Sequence, residues 1–126
     1  MWNKAGIFNK TKNKFLCEAI VADSPHKRAR GLMFRDEKAL PILFLLPKKQ
    51  CYALHSIFVF FDFYIIYMED GGVVEKREAK PFEPYIYTSC PANQILEIPA
   101  LGNENKSIYS GIAINDILVW NAESNK

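Results

Sequence analysis

The chain holds 126 residues, 49% hydrophobic and 24% charged, with nine Phe, six Tyr and two Trp. One domain of this make-up can bury roughly two thirds of its unfolded surface, which excludes disorder, collagen, coiled coil and any need for disulfide or metal staples. Sixteen basic residues against fourteen acidic ones give a net charge of +2, a balance that points to neither nucleic acid nor an acidic membrane.

Residues 1–14 are polar and lysine-rich and read as a flexible N-terminal arm. Their four lysines surround no apolar run of signal-peptide length, so a cytoplasmic protein is expected. Residues 15–22 (FLCEAIVA) read as a first strand closed by Asp23. In DSPHKRARG, Ser24 suits an N-cap, Pro25 the first helical position and Gly31 the left-handed closing residue, which predicts a short helix over 25–30. Lys27, Arg28 and Arg30 fall near its C-terminal end, where the helix dipole favours positive charge.

Leu32, Met33 and Phe34 form an apolar plug before the charged turn 35–38. Residues 41–47 (PILFLLP) predict a short buried strand. The aromatic stretch 51–68 reaches membrane-span length, but His55 and Asp62 interrupt it and β-branched and aromatic residues crowd it. It reads as two buried strands, and the part over 51–61, apolar at odd and even positions alike, as a central strand covered on two faces. Asp70-Gly71-Gly72 is the strongest hairpin signal in the chain. Pro81, Pro84 and Pro91 make 81–92 irregular. Residues 94–98 read as a strand, 104–111 as a turn or two of helix, and 112–120 as a last strand kinked near Asn115-Asp116. The expected fold is mostly β with one or two short helices (α+β). It is a single antiparallel domain over 15–120, curled into a partial barrel, with a C-terminal tail at 121–126.

VADSPHKRARGLMFR, ALHSIFVFF, DGGVV, a KPF element, PANQILEIPALG and GIAINDIL, spread over residues 17–119, resemble the domain of unknown function 192 family, also called uncharacterised protein family 0127. The more specific pieces are Arg30-Gly31-Leu32-Met33 with Arg35, and Leu96-Glu97 with the run from Pro99 to Gly102. The resemblance implies a small β-rich prokaryotic fold with a short helix after its first strand and no established activity. This chain departs from the family pattern at three places. Ala53 and His55-Ser56 stand where many relatives have a tryptophan and a Lys-Asn pair, Asp62 is displaced from the usual aspartate, and Asn115-Asp116 replaces Gly-Asp.

Chemistry-bearing residues are few. Cys17, Cys51 and Cys90 are odd in number and widely spaced, so a complete set of intrachain disulfides is impossible and reduced thiols are expected. With two histidines they lack the close spacing of zinc sites, and neither a metal nor a cofactor is expected. His55, titratable and set in apolar sequence, reads as a buried histidine bonded to a backbone carbonyl, with a proton-transfer role beside Asp62 or Glu97 as the alternative. Arg30 and Arg35 bracket the plug and could clamp a carboxylate or phosphate, although pairing with Glu37, Glu97 or Asp116 is the plainer expectation. Together these features predict a binding or accessory module. Arg30, Arg35, His55 and Glu97 would line a barrel-end groove for a small anionic ligand or a protein segment. A small hydrolase-like or proton-transfer enzyme is the alternative, and the catalytic residues and oligomeric state stay open.

Overall fold

A computed structural model of the chain describes residues 2–122. Seven strands and two helices follow in the order β1 (Asn3–Asn9), β2 (Lys14–Ala22), α1 (Pro25–Arg30), β3 (Ile42–Gln50), β4 (Phe63–Glu69), β5 (Gly72–Ala79), β6 (Ala92–Pro99), α2 (Gly102–Gly111) and β7 (Leu118–Ala122). They form one sheet in the spatial order β5-β4-β6-β3-β2-β1-β7. Every neighbouring pair is antiparallel except β2 and β3. That pair is parallel because the connection between them is a long crossover carrying α1, which returns the chain to the same end of the sheet.

The sheet curls without closing. Its two edges touch at a single bridge between Gly72 and Ile117, supported by Val73 N–H to Asp116 O and Leu118 N–H to Gly71 O, both 2.8 Å. The β4–β5 hairpin turns on Asp70 (φ 47°) and Gly71 (φ 85°), successive left-handed residues that match the twist of the flanking strands. A Cβ on Gly71 would lie 2.7 Å from the Leu118 carbonyl oxygen, so the seam demands glycine there.

Both faces of the middle strands are covered. Tyr64, Ile66 and Met68 join Ile7, Leu43, Leu96, Ile98 and Leu118, with Ile108 and Tyr109 of α2 packed against them. Phe63, Ile65 and Tyr67 join Ile42, Phe44, Ile95, Leu32 and Val59 on the opposite face. The two-residue period of a strand sorts β4 between the two cores, and for this reason its sequence is apolar at every position from Phe63 to Met68.

Three expectations need correction. The supposed arm contains β1, paired with β2 and β7; Ala5, Ile7 and Asn9 are buried and alternate with the less buried Gly6 and Phe8, a pattern the flanking lysines obscure. Of the expected tail, Asn121 and Ala122 belong to β7, and residues 123–126 lie outside the described residues. Residues 51–61 are a loop, whose one β-bridge among the described residues joins Leu54 to Ile86. Phe58 takes φ 61° there, which no strand admits. The buried Ser56 ties this loop to the next one. Its N–H donates to Glu83 O at 2.8 Å, its hydroxyl donates to Lys80 O at 2.5 Å, and Glu83 N–H donates back to Oγ at 2.7 Å.

Candidate functional site

Gly31 ends α1 with φ 45°, and a Cβ on it would meet the Phe44 ring at 3.0 Å and Oε1 of Glu97 at 3.8 Å. The backbone after α1 thus passes directly over a carboxyl held in β6. Glu97 stands between Ile42 of β3 and Ile65 of β4 and is 7% exposed. Burial pushes its carboxyl up from the ordinary 4.5 to about 8, with no hydrogen bond or charge among the described residues opposing the shift. At neutral pH this group is a carboxylic acid, able to donate one hydrogen bond and accept another.

A cleft of about 420 Å³ opens over it. Leu32, Met33, Phe44 and Val59 form apolar walls, and Arg28, Arg30 and His55 stand around the mouth. Arg28 is tethered to Leu45 O at 3.3 Å. His55 is exposed rather than buried, because its loop runs over the sheet instead of within it. Its Nδ1 accepts the Ile57 N–H at 3.2 Å.

Arg35 lies in an adjoining cleft of about 340 Å³ whose wall it shares with Arg30, Phe34 and Lys38. Its Nε donates to Gly31 O at 2.8 Å, its guanidinium rests 5.0 Å from the Trp2 ring centre, and its Nη2 is buried without a partner. The structure therefore brings Arg30, His55 and Glu97 to one cleft and sets Arg35 behind it as a brace of the α1–plug turn. The expected ion pairs do not form. Among the described residues neither arginine meets a carboxylate within bonding range, and Asp116 is engaged by Lys12 at 2.9 Å and by Asn9 at 2.8 Å. Asp62 is exposed and paired with Lys80 at 2.9 Å, outside the cleft, so it is no partner for His55.

Cys17 is buried and its thiol is pushed up to about 12, mainly by desolvation, which makes it an inert core thiol. Sequence reasoning passed over Gly31 and Arg28 as site residues, although Gly31 sits in the most specific stretch of the resemblance. It also passed over Trp2, which no local pattern marks. The two specific stretches, 30–35 and 96–102, meet in space where Gly31 crosses Glu97.

A family model described as Uncharacterized ACR, DUF192, matches residues 7–115. A UPF0127 protein of Thermococcus sibiricus is 27% identical, over 95% of this chain and 77% of that protein. Two solved structures share the fold. One, described as a candidate transcription regulator from Sinorhizobium meliloti, has a TM-score of 0.77 at 17% identity, covering 95% of this chain and 94% of that one. The other, a protein of unknown function from Novosphingobium aromaticivorans, has a TM-score of 0.68 at 20% identity, covering 93% and 84%. At these identities the two structures speak to the fold alone. Among the described residues no helix is long and apolar enough to cross a membrane.

Proposed function

The chain belongs to the uncharacterised DUF192 family, and on that footing we propose that it is a binding module which takes a small anionic ligand into the cleft between α1 and β6. The observation that carries this reading is the Glu97 carboxyl, buried, unpaired and facing a cleft with Arg30 and His55 at its mouth. A buried polar group without a partner costs stability, and a ligand bearing an acceptor would satisfy it. The guanidinium of Arg30 suits a carboxylate or phosphate at the mouth, and Leu32, Met33, Phe44 and Val59 suit an apolar body between the two ends.

Native mass spectrometry of undenatured protein, followed by thermal-shift screening of small carboxylates and phosphates, tests this. A ligand at about one hundred times its Kd adds roughly 2.7 kcal/mol, a rise of roughly 10 °C for a chain of this length. The rise should vanish in Arg30→Ala and shrink in Glu97→Gln. No stabilising compound, or stabilisation indifferent to both changes, would reject the module. His55 and Glu97 facing one cleft also favours a second reading, proton transfer on the bound ligand. Turnover of a hit that disappears in His55→Ala would decide for it, and recovery of the ligand unchanged would decide against it.

A further inference from the structure

Phe34, Phe58, Phe60 and Phe82 come from three separate loops and are 43 to 60% exposed. Their rings form one closed set. Centroids stand 4.9 Å apart for Phe34 and Phe58, 6.3 Å for Phe58 and Phe82, 5.6 Å for Phe82 and Phe60, and 6.4 Å for Phe60 and Phe34. Three of the four hold a left-handed backbone, at φ 60°, 61° and 60° for Phe34, Phe58 and Phe82. A bulky residue is a true outlier in that region, and a soluble surface gains nothing by presenting rings there. The presentation is firm all the same, because Phe34 N–H donates to Phe58 O and Phe82 N–H to Ser56 O, both at 2.9 Å.

The net charge of +2 conceals an asymmetry beside this patch. Residues 25–38 hold five basic and two acidic side chains, whereas the rest of the chain holds eleven and twelve. Among the described residues Arg28, Arg30, Arg35 and Lys38 have no ion pair. Asp36 is turned to the Lys38 N–H at 2.9 Å, and Glu37 is the other acid of the turn. Arg35 shares one cleft with Phe34, Arg30, Asp36 and Lys38 and another with Phe60, Asp36 and Glu37. Apolar rings beside a turn with an excess of unpaired cations match a surface that is apolar beneath and anionic on top.

We propose that this end of the molecule docks on an anionic lipid bilayer, with the four phenylalanine rings at the boundary of headgroups and acyl chains and Arg35 and Lys38 facing lipid phosphates. The docking stands apart from whatever the Glu97 cleft holds. Co-sedimentation with vesicles of phosphatidylglycerol and phosphatidylcholine, against phosphatidylcholine alone, tests it. Binding should be roughly tenfold stronger on the anionic vesicles and should weaken as salt screens the charges. The triple variant Phe34→Asn, Phe58→Asn, Phe82→Asn should lose at least roughly tenfold in binding while melting no lower than the wild type, because asparagine accepts the left-handed backbone. Phe60→Ser with Lys38→Glu is the second variant should the triple one fold poorly, and it too should lose binding. A wild-type protein that stays in the supernatant, or variants that bind as it does, would overturn the proposal. So would sedimentation velocity showing a dimer that the triple variant disperses, since that result assigns the patch to a second copy.

Discussion

Glu97 and Asp116 show how place alone sets a carboxyl's behaviour. Glu97 is raised to about 8 because nothing compensates its burial. Asp116, buried in accessible surface, is lowered to about 2 because the Ala113 N–H, Asn9 and Lys12 all bond its charged form. For Glu97 the folded protein holds a proton that the unfolded chain releases above about 4.5. Its contribution is therefore complete below that value, falls as pH rises towards about 8, and levels off beyond. Glu97→Gln should match the wild type near pH 5 and exceed it at pH 9 by a few kcal/mol, at about 1.4 kcal/mol per unit. Urea denaturation at several pH values reads the difference; one that stays constant with pH would refute a protonated Glu97. Its placement in a strand was legible from the alternation of 94–98, but its isolation was not, since a residue's partners come from other segments.

At the level of elements, α1 and the β4–β5 hairpin were readable because their signals are local: Pro25 at a helix start, Gly31 at its end, and Asp70-Gly71 between two apolar runs. Ser24 does precede α1, though its hydroxyl lies 3.4 Å from His26 Nδ1 instead of capping the helix. The loop over 51–61 was misread because aromatic density imitates a buried strand. What organises it is Ser56, whose partners lie more than twenty residues away. Ser56→Ala should cost about 1–2 kcal/mol, since the Lys80 carbonyl and the Glu83 N–H both lose their bond to the hydroxyl. The amides of Phe82 and Glu83 should then exchange faster with solvent. Unchanged stability in denaturant would mean the hydroxyl is dispensable and the loop is held by its rings.

For the molecule as a whole, the decisive contacts lie at the seam where the sheet's first and last strands meet. Asn9 donates to Asp116 at 2.8 Å, Lys12 pairs with it at 2.9 Å, and Asn115 takes φ 76° to turn the chain into β7. Asparagine serves there because it tolerates positive φ better than most residues. Asp116→Ala should cost about 1–2 kcal/mol at pH 7. The sign is opposite to that of Glu97: a lowered carboxyl stabilises above its ordinary 3.8, and the benefit disappears as pH falls towards about 2. Acid unfolding followed by circular dichroism should begin at higher pH in the variant. Coincident curves would exclude Asp116 as a clasp of the seam.

The α+β class, the boundaries of α1, the β4–β5 hairpin and the family were determined by the order of residues alone, because turns, caps and two-residue periods act over a few neighbours. Tertiary structure decided which segments supply the seven strands. A strand at residues 3–9 among lysines and a loop at 51–61 among aromatics are each chosen by what packs on them. It also decided that Gly31 crosses Glu97, that Arg30 and Arg35 meet no carboxylate among the described residues, and that four distant phenylalanines share one surface. Those are relations between residues far apart in the chain, and no local pattern carries them.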